Sequence, residues 1–482
     1  MIADDPKLQQ EFWSQSVMAD AEDLNPLKDF VGGEGSGKPF VEKRDANVNG
    51  GQKVYFTTRA PVRGRGVIGS AELKSKTSRL KYGTFGVTVD LRRFAISEEQ
   101  LVQYFTLPGN AEKNRDEVLM DLSAQWWART KCDDIQMVLR QKALFATDQP
   151  NVLRVGSGAS RDALTPDDTY DTGTITDGKN ALIGFGGQPL AVDKSVAGAD
   201  VPQYLVFAPS RVLEGLEDEQ KFREAVHNNQ ARGGEAYWWT GKYPVWKNQM
   251  IFNHNLVIDS GPNRLGSPLL PFALLGAAIA AGTAAVDITG GGTHNDDASL
   301  TDTVLYDFFS YFPGYYWKTY ETESAPTDNN TYHVLVFNVS GADKGKYEIF
   351  SYAAASNNGN KLANCTRAVE KAALVTATKF TEEHPTGSWI IPCNNKGVPI
   401  GWALHLGAEA LFIGKGALEA DPIEWGDDFK SKTTGRAHIN AQGIQSMIGY
   451  SPFEDTIGRY SNYFLIECAV DYPELNLADI TA

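Results

Sequence analysis

The sequence has few of the residues that build metal centres or covalent frameworks. Its 482 residues include four cysteines, which are widely spaced and form no CxxC pair: Cys132, Cys365, Cys393 and Cys468. Structural zinc sites and disulfide scaffolds need cysteines or histidines at short, regular spacings. We therefore predict no metal site and no disulfide framework, and we expect assembly in a reducing compartment.

Signatures of catalysis are also missing. The seven histidines are scattered, and no GxSxG nucleophile motif occurs. Two pairs of adjacent acids, Asp133–Asp134 and Asp427–Asp428, would diverge on a helix and could not share one substrate. We interpret them as exposed acids that face basic neighbours. The sequence thus predicts no catalytic residues, no cofactor and no enzymatic activity.

Segments that target or anchor a chain are not evident either. The N-terminal residues lack the basic region and apolar core of a secretory signal. One apolar run extends from Leu269 to Val286, but it is rich in Ala and Gly, contains Pro271 and Gly276, and has no basic flank. We predict that this run is a buried helix and not a membrane span.

Two glycine patterns suggest nucleotide binding only weakly. Gly32, Gly37 and Lys38 match most of a phosphate loop, but Pro39 stands where a magnesium-binding hydroxyl is required. A GxGxxG pattern begins at Gly64, yet the residues after it make a poor crossover helix. A nucleotide-dependent enzyme therefore stays a minor alternative.

The most prominent positive feature is a segment without proline or glycine from Asn110 to Phe145. Its composition predicts a helix capped by Asn110, roughly 50 Å long. Apolar residues recur at helical spacing, and charged residues are expected on the opposite side. The predicted apolar positions are Val118, Leu119, Leu122, Trp126, Cys132, Ile135, Val138 and Leu139, and the charged ones are Glu112, Asp116, Asp121, Arg129, Asp133 and Arg140.

Charge is distributed unevenly along the chain. The net charge is −15, but residues 53–93 hold ten Lys/Arg and two Asp/Glu, so the other residues carry −23, the difference between −15 and +8. Residues 53–60 and 84–91 are β-rich and predict a long, projecting basic hairpin. Such a basic segment is suited to bind nucleic acid or an acidic surface on another copy of the chain. The net negative charge of the other residues argues against a protein that coats DNA over its whole surface. The candidate contact residues in the hairpin are Arg59, Arg63, Arg65, Lys74, Lys76, Arg79 and Lys81, and the candidate acidic partners are Asp20, Glu22, Asp23, Asp116, Glu117 and Asp121.

The rest of the chain alternates between α/β and β-rich patterns. Residues 148–201 are loop-like, and a strand then a helix are predicted from Tyr204 through Leu216. Residues 287–400 are rich in Gly, Asn, Thr and Tyr, and predict an inserted, mainly-β lobe that is exposed and dispensable for the core fold. Helical character is expected again at Trp402–Lys415, followed by closing strands around 437–444 and 463–470.

Several blocks, in this order, resemble the major capsid proteins of podovirus-like tailed bacteriophages with the HK97-type fold. They are VRGRGVIGSAEL with KYGTFGVTVDLRRFAIS, RDEVLMDLSAQWWARTKCDDIQMVLRQKAL, YLVFAPSRVLEGL, LHLGAEALFIGKG and FKSKTTGRAHINAQGIQSMIGYSPFEDTIGRY. The resemblance implies an α+β fold with an N-terminal arm (1–50), an extended loop (51–94), and a peripheral domain (95–200) with a spine helix at 110–145. It further implies an axial domain (201–286 and 401–430) and closing strands (431–482), whereas the inserted lobe (287–400) has no counterpart in these blocks and is predicted from composition alone.

The resemblance also implies a function. A protein of this family is a non-enzymatic shell subunit that assembles into pentamers and hexamers of an icosahedral head. The head encloses double-stranded DNA without specific binding, with portal and scaffolding or decoration proteins as partners and no membrane. The expected location is the virion, assembled in the host bacterial cytoplasm. The alternatives are an encapsulin-like nanocompartment shell of the same fold and the nucleotide-dependent enzyme.

Overall fold

A computed structural model shows a mixed α+β chain, as the sequence predicts. It describes residues 6–59, 82–97, 115–146, 149–156, 160–190, 203–224, 245–253, 266–280, 285–290, 309–324, 330–341, 344–353, 361–367, 383–418, 421–422, 441–453 and 462–472. The chain divides into two compact units. The first comprises Met1–Ala128, Thr319–Glu323 and Leu411–Thr456, and the second Arg129–Lys318, Ser324–Ala410 and Ile457–Ala482.

The helices of the described residues include α1 (Pro6–Leu24), α2 (Arg115–Phe145), α3 (Thr172–Gly184) and α4 (Ser210–Asp218). The helix predicted at 110–145 is α2; residues 110–114 lie outside the described part. Short 3₁₀ turns occur at Lys28–Phe30 and Arg161–Ala163. Among the described helices, none is both long and apolar enough to cross a membrane.

Burial along α2 differs from a simple amphipathic pattern. Cys132, Ile135, Val138 and Leu139 are buried as predicted. However, Asp133 and Arg140 of the predicted charged side are buried too, as is Asp134. The prediction of exposed acids at 133–134 is therefore wrong, because the second unit surrounds this half of the helix. Leu122, predicted on the apolar face, is 44% exposed.

The first unit is built on one mixed sheet. Its strands are β1 (Val31–Gly32), β2 (Phe40–Arg44), β5 (Asp90–Ser97), β19 (Leu411–Lys415), β20 (Asp421–Pro422) and β21 (Ala441–Pro452). The order is β1-β2-β19-β21-β20, and β5 pairs with β21. Residues 31–44, predicted as part of the N-terminal arm, are held in the sheet by parallel pairing of β2 with β1 and β19. Beside the sheet, α1 packs on the first half of α2 through Val17, Ala21, Ala124, Trp127 and Ala128.

Two strands of the first unit form a separate hairpin, β3 (Lys53–Arg59) and β4 (Tyr82–Thr88). They pair antiparallel from Lys53 opposite Thr88 to Arg59 opposite Tyr82. The hairpin predicted from residues 53–60 and 84–91 is confirmed at its base, and its connecting residues 60–81 lie outside the described part.

The second unit contains a six-stranded sheet ordered β6-β22-β18-β7-β9-β8. The strands are β6 (Val152–Arg154), β7 (Tyr204–Ala208), β8 (Val245–Trp246), β9 (Gln249–Asn253), β18 (Ile400–Leu406) and β22 (Tyr463–Ala469).

Two predictions of secondary structure are wrong in this part of the chain. The segment predicted helical at Trp402–Lys415 forms β18 and β19, every residue of which is buried. The loop-like segment 148–201 contains α3, whose first turn is capped by the Asp171 carboxylate accepting from the Thr174 N–H.

A second six-stranded sheet follows the order β12-β17-β14-β15-β16-β13. Its strands are β12 (Ala273–Leu274), β13 (Ala285–Thr289), β14 (Tyr332–Phe337), β15 (Tyr347–Tyr352), β16 (Lys361–Arg367) and β17 (Trp389–Cys393). Leu275 pairs with Gly290, and the Gly276 N–H donates to the Thr289 carbonyl at 2.8 Å, so the end strands meet and the sheet closes into a small barrel.

The barrel corrects the prediction of a buried helix at 269–286. The described residues of that run form β11 (Leu270–Pro271), β12 and the first residues of β13, and β11 pairs with β10 (Gly266–Ser267), which precedes the run. A run of apolar residues without clear periodicity does not distinguish a helix from buried strands. Tertiary pairing decides the structure here.

The side chains of β14 alternate between the interior of the barrel and a core that the barrel shares with the other sheet of the second unit. Tyr332, Val334 and Val336 point into the barrel with Phe309 and Phe312. Leu335 and Phe337 point outward into another core. This outer core also contains Ile349, Ile391 and Cys393 of the barrel, and Val206, Ala208, Ala403 and Ile466 of the other sheet. Residues 287–400 are β-rich as predicted, but they share a core with their unit, which disagrees with a dispensable lobe.

Candidate assembly surface

The hairpin base is anchored through one face. Val54, Phe56 and Val87 are almost fully buried, and they pack with Val41 and Phe412 of the first unit's sheet. The rings of Phe56 and Phe412 meet edge to face with centroids 4.8 Å apart. Because successive strand residues point to opposite faces, this inner face leaves the other face to solvent.

Close backbone approach strengthens the anchor. A Cβ added at Gly449 of β21 would collide with the carbonyl oxygen of Thr88, and one added at Gly414 of β19 would lie 3.2 Å from the Val54 side chain. Only a residue without a side chain fits at Gly449 without moving the backbone. The position of the hairpin base is therefore fixed by packing on the sheet.

The outer face of the hairpin is a solvent-exposed β surface. Lys53, Thr57 and Thr84 are exposed, and Tyr55 is 60% exposed. Beyond Arg59 and Tyr82 the chain continues into residues 60–81. That segment contains six of the seven predicted contact residues, which lie outside the described part: Arg63, Arg65, Lys74, Lys76, Arg79 and Lys81. Arg59 ends β3.

The candidate acids on α1 are exposed, but two of them already have partners within the chain. The Asp23 carboxylate lies 3.0 Å from the Lys28 ammonium, and the Glu22 carboxylate lies 3.0 Å from that of Lys415. Lys415 is nearly buried and also contacts Glu42 at 2.6 Å. Burial alone would lower the pKa of Lys415, but Glu42 and Glu22 raise it above its ordinary value. Glu22 thus compensates a buried cation, and Asp20 and Asp23 are the better candidates for an external contact.

The candidate acids on α2 are only partly described. Asp121 is exposed. Asp116 and Glu117 lie in the first turns of α2, and their side chains are outside the described part. The structure therefore places Asp121 and the α1 acids on the surface of the first unit. Their pairing with the basic residues of the hairpin stays a prediction.

Buried polar groups in the second unit are engaged in the core. The Glu467 carboxylate accepts from Arg154 at 2.9 Å, from Arg161 at 2.6 Å and from the Trp402 indole at 3.0 Å. Burial would raise the pKa of Glu467, but Arg161 and Arg154 hold it below its usual range. Asp133 accepts a 2.8 Å hydrogen bond from the Tyr311 hydroxyl. Within the described ranges, no three acidic, histidine or cysteine side chains gather as a metal site would require.

The loop that resembles a phosphate-binding motif has another structure. Gly35 and Gly37 adopt positive φ angles of 76° and 69°, and the Lys38 ammonium donates to the Val31 carbonyl at 3.0 Å. The strand β2, not a helix, follows. In P-loop proteins the glycine-rich loop leads into a helix N-terminus, which supplies amide groups to the phosphate, and this loop lacks that arrangement. The GxGxxG pattern lies outside the described part.

Sequence reasoning missed two residues at the hairpin. Glu34, in the glycine-rich loop, accepts from the Thr57 N–H at 3.0 Å, and Lys43 of β2 donates to the Tyr55 carbonyl at 2.6 Å. An acid in a glycine loop next to a basic strand residue gives only a faint sequence signal, because the contact spans 23 positions of the chain.

Among the comparisons with known proteins, only the comparison with solved structures finds matches. No protein-family model and no curated protein matches the sequence. Among solved structures, the capsid of Ralstonia phage GP4 matches at 11% identity, over 92% of this chain and 90% of that chain, with a TM-score of 0.47. The cyanophage Pam1 capsid matches at 10% identity over 92% of both chains, with a TM-score of 0.49.

A third match is the capsid of Helicobacter pylori bacteriophage KHP30, with 11% identity, 93% and 92% coverage and a TM-score of 0.45. The chain resembles phage capsid proteins. The similarity is distant and extends over nearly the full length of each chain.

Proposed function

We propose that this chain is a major capsid protein, a self-assembling subunit of the icosahedral head of a podovirus-like tailed phage. The observation that carries the proposal is the hairpin. Its base is anchored on one face, while its basic connecting residues belong to a segment with almost no acidic residues of its own. Two strands alone are marginal in water, so we infer that the far end of the hairpin binds a partner.

The distribution of charge along the chain favours a second copy of the chain as that partner. The hairpin region carries +8 and the other residues −23, and α1 displays Asp20 and Asp23 on its exposed face. A single exposed ion pair contributes only about 0–1 kcal/mol. A shell repeats each contact many times, so that several weak pairs per interface are sufficient to drive assembly.

The finer assignments follow from the same proposal. Residues 1–50 act as the arm, 51–94 as the extended loop, and α2 as the spine helix of a peripheral domain (95–200). Residues 201–286 and 401–430 form the axial domain, and 431–482 the closing strands. Subunits form pentamers and hexamers in the host cytoplasm, with portal and scaffolding or decoration proteins. The acidic excess suits a shell that encloses double-stranded DNA without gripping it.

The proposal predicts that the hairpin charge is needed for assembly more than for folding. Changing Arg63, Arg65, Lys74 and Lys76 to Glu should abolish particles, because the reversed loop would repel the acidic surface. Helix content by circular dichroism should stay near that of the unmodified protein. Negative-stain microscopy and light scattering measure the particles. Raised salt should weaken early assembly of the unmodified protein, since charges are screened over about 8–10 Å.

A matched control carries the same charge change elsewhere. The exposed lysines Lys221, Lys318, Lys344 and Lys396 of the second unit, all changed to Glu, should leave assembly closer to normal. Normal particles from the hairpin variant would show that its charge has another role, with inward DNA contact the first to test. If the unmodified chain forms no closed particles under any assembly condition, the proposed function is wrong.

A further inference from the structure

The glycine-rich loop between β1 and β2 places charged side chains on the edge of the hairpin. Glu34 Oε1 accepts from the backbone N–H of Thr57 at 3.0 Å. The Lys43 Nζ atom donates to the carbonyl of Tyr55 at 2.6 Å. The two side chains also meet each other at 3.2 Å, and Lys43 Nζ lies 5.6 Å from the centroid of the Phe56 ring.

Both contacts fall on the same edge of β3. In a strand, the N–H and C=O of one residue point to the same edge, and those of the next residue point to the opposite edge. β3 pairs with β4 on one edge. Tyr55 and Thr57 direct their carbonyl and N–H groups to the other edge, because Lys43 and Glu34 reach them there. These are backbone groups that an added strand would use.

The arrangement reproduces one residue of a parallel partner strand. In parallel pairing, a partner residue opposite Phe56 would donate its N–H to the carbonyl before Phe56 and accept from the N–H after it. Lys43 supplies the donor at the Tyr55 carbonyl, and Glu34 supplies the acceptor at the Thr57 N–H. The side chains of Lys43 and Glu34 are 33% and 37% exposed, so they cover the edge without being part of the core.

We propose that Glu34 and Lys43 form an edge guard that prevents β3 from pairing with a β-strand of a second copy. Open strand edges are templates for edge-to-edge aggregation, and charged side chains on an edge are one way that proteins block them. The hairpin base has two strands, so without the guard every copy of the chain would present the same open edge. The role applies to the soluble chain and goes beyond the proposed function in the shell.

The experiment compares Glu34→Ala, Lys43→Met, the double variant and Glu34→Gln with a control. Lys43→Met keeps an unbranched stem beside Phe56 and removes the donor. Glu34→Gln keeps an acceptor for Thr57. The control is Lys28→Ala with Asp29→Ala, an exposed base and an exposed acid of the same unit, which removes one charge of each sign as the double variant does. Hydrogen exchange at the Thr57 amide, thioflavin T fluorescence and electron microscopy are measured on folded, soluble protein.

Exchange at Thr57 should become about tenfold faster in Glu34→Ala, because a hydrogen bond to a charged group is lost, and should stay near the original rate in Glu34→Gln. The double variant should form thioflavin-positive, irregular aggregates several-fold faster than the control.

Unchanged exchange at Thr57 in Glu34→Ala would overturn the proposal, and so would a double variant that aggregates no faster than the control. If the double variant does not fold, the single variants decide by the same two measurements. Failure of the unmodified chain to form shells would refute the proposed function and leave these measurements unaffected.

Discussion

At the scale of single residues, His405 is a histidine with a structural role in the core. It lies on β18 with no exposed surface, its Nε2 is 2.8 Å from the Tyr170 hydroxyl, and its ring lies against Gly178 of α3. Burial lowers the pKa of His405 from 6.5 to about 3. The residue is therefore neutral when the protein is folded, and sequence alone does not distinguish it from a catalytic histidine.

This environment predicts a loss of stability in mild acid. The unfolded chain takes up a proton on His405 below about pH 6.5, whereas the folded protein does so only near pH 3. The free energy of unfolding should therefore decrease as pH falls through this window, by at most about 1.4 kcal/mol per pH unit from this residue. Denaturant titrations between pH 7 and 5 measure the slope, above the range in which Glu467 adds to it. His405→Gln should have a lower stability but a shallower slope, and an equal slope in that variant would contradict the assignment.

At the scale of secondary-structure elements, the base of the hairpin depends on close approach to β21. Gly449→Ala would drive a methyl group into the Thr88 carbonyl, and overpacking of this kind costs typically 1–3 kcal/mol. We expect the hairpin base to shift and particle yield to fall sharply, while the second unit keeps its near-ultraviolet dichroism. Particle yield by gradient sedimentation checks the prediction.

Gly33→Ala is the matched control, because an added Cβ there meets no atom within 4 Å. It should assemble normally. Equal assembly of the two variants would show that contact with Gly449 does not position the hairpin.

Some elements could be predicted from sequence and others could not. The helix at 110–145 lacks proline and glycine over many turns, and the hairpin strands alternate, so local signals agree with the structure in both cases. At Trp402–Lys415 both strands are buried on both faces, so the sequence does not alternate between apolar and polar residues. In the described residues of 269–286 burial alternates with partial exposure, but almost all of the residues are apolar, so the sequence does not show the strand period. The acids predicted as contacts were chosen by charge alone, which gives no information on partners such as Lys415 for Glu22.

At the scale of the whole molecule, the barrel is a structural part of the second unit. Leu335, Phe337, Ile349 and Ile391 contribute to the core that contains Val206 and Ala403. The sequence analysis favoured a lobe that could be removed without harm. The shared core predicts the opposite result.

Replacement of Ala298–Asn394 by a short Gly/Ser linker should therefore prevent folding of the second unit. The deletion removes β14–β17 and exposes apolar side chains of the sheet that contains β7 and β18. We expect insoluble or protease-sensitive protein, measured by limited proteolysis and near-ultraviolet dichroism. A soluble variant that retains a protease-resistant second unit would show that the barrel is an independent addition.

The closed barrel also constrains how this chain can change length over evolutionary time. The inner strands of the ring are bonded on both sides, and the ring closes where Leu275 and Gly276, after β12, meet Thr289 and Gly290 at the end of β13. The two faces of β14 fill two different cores. One inserted or deleted residue within β14 would exchange the two faces beyond that point, and the ring offers no free end at which the register could readjust. Gains and losses of residues should therefore accumulate in the connections between strands, such as the turn around Gly341 and Gly345, while the strands of the barrel keep their lengths.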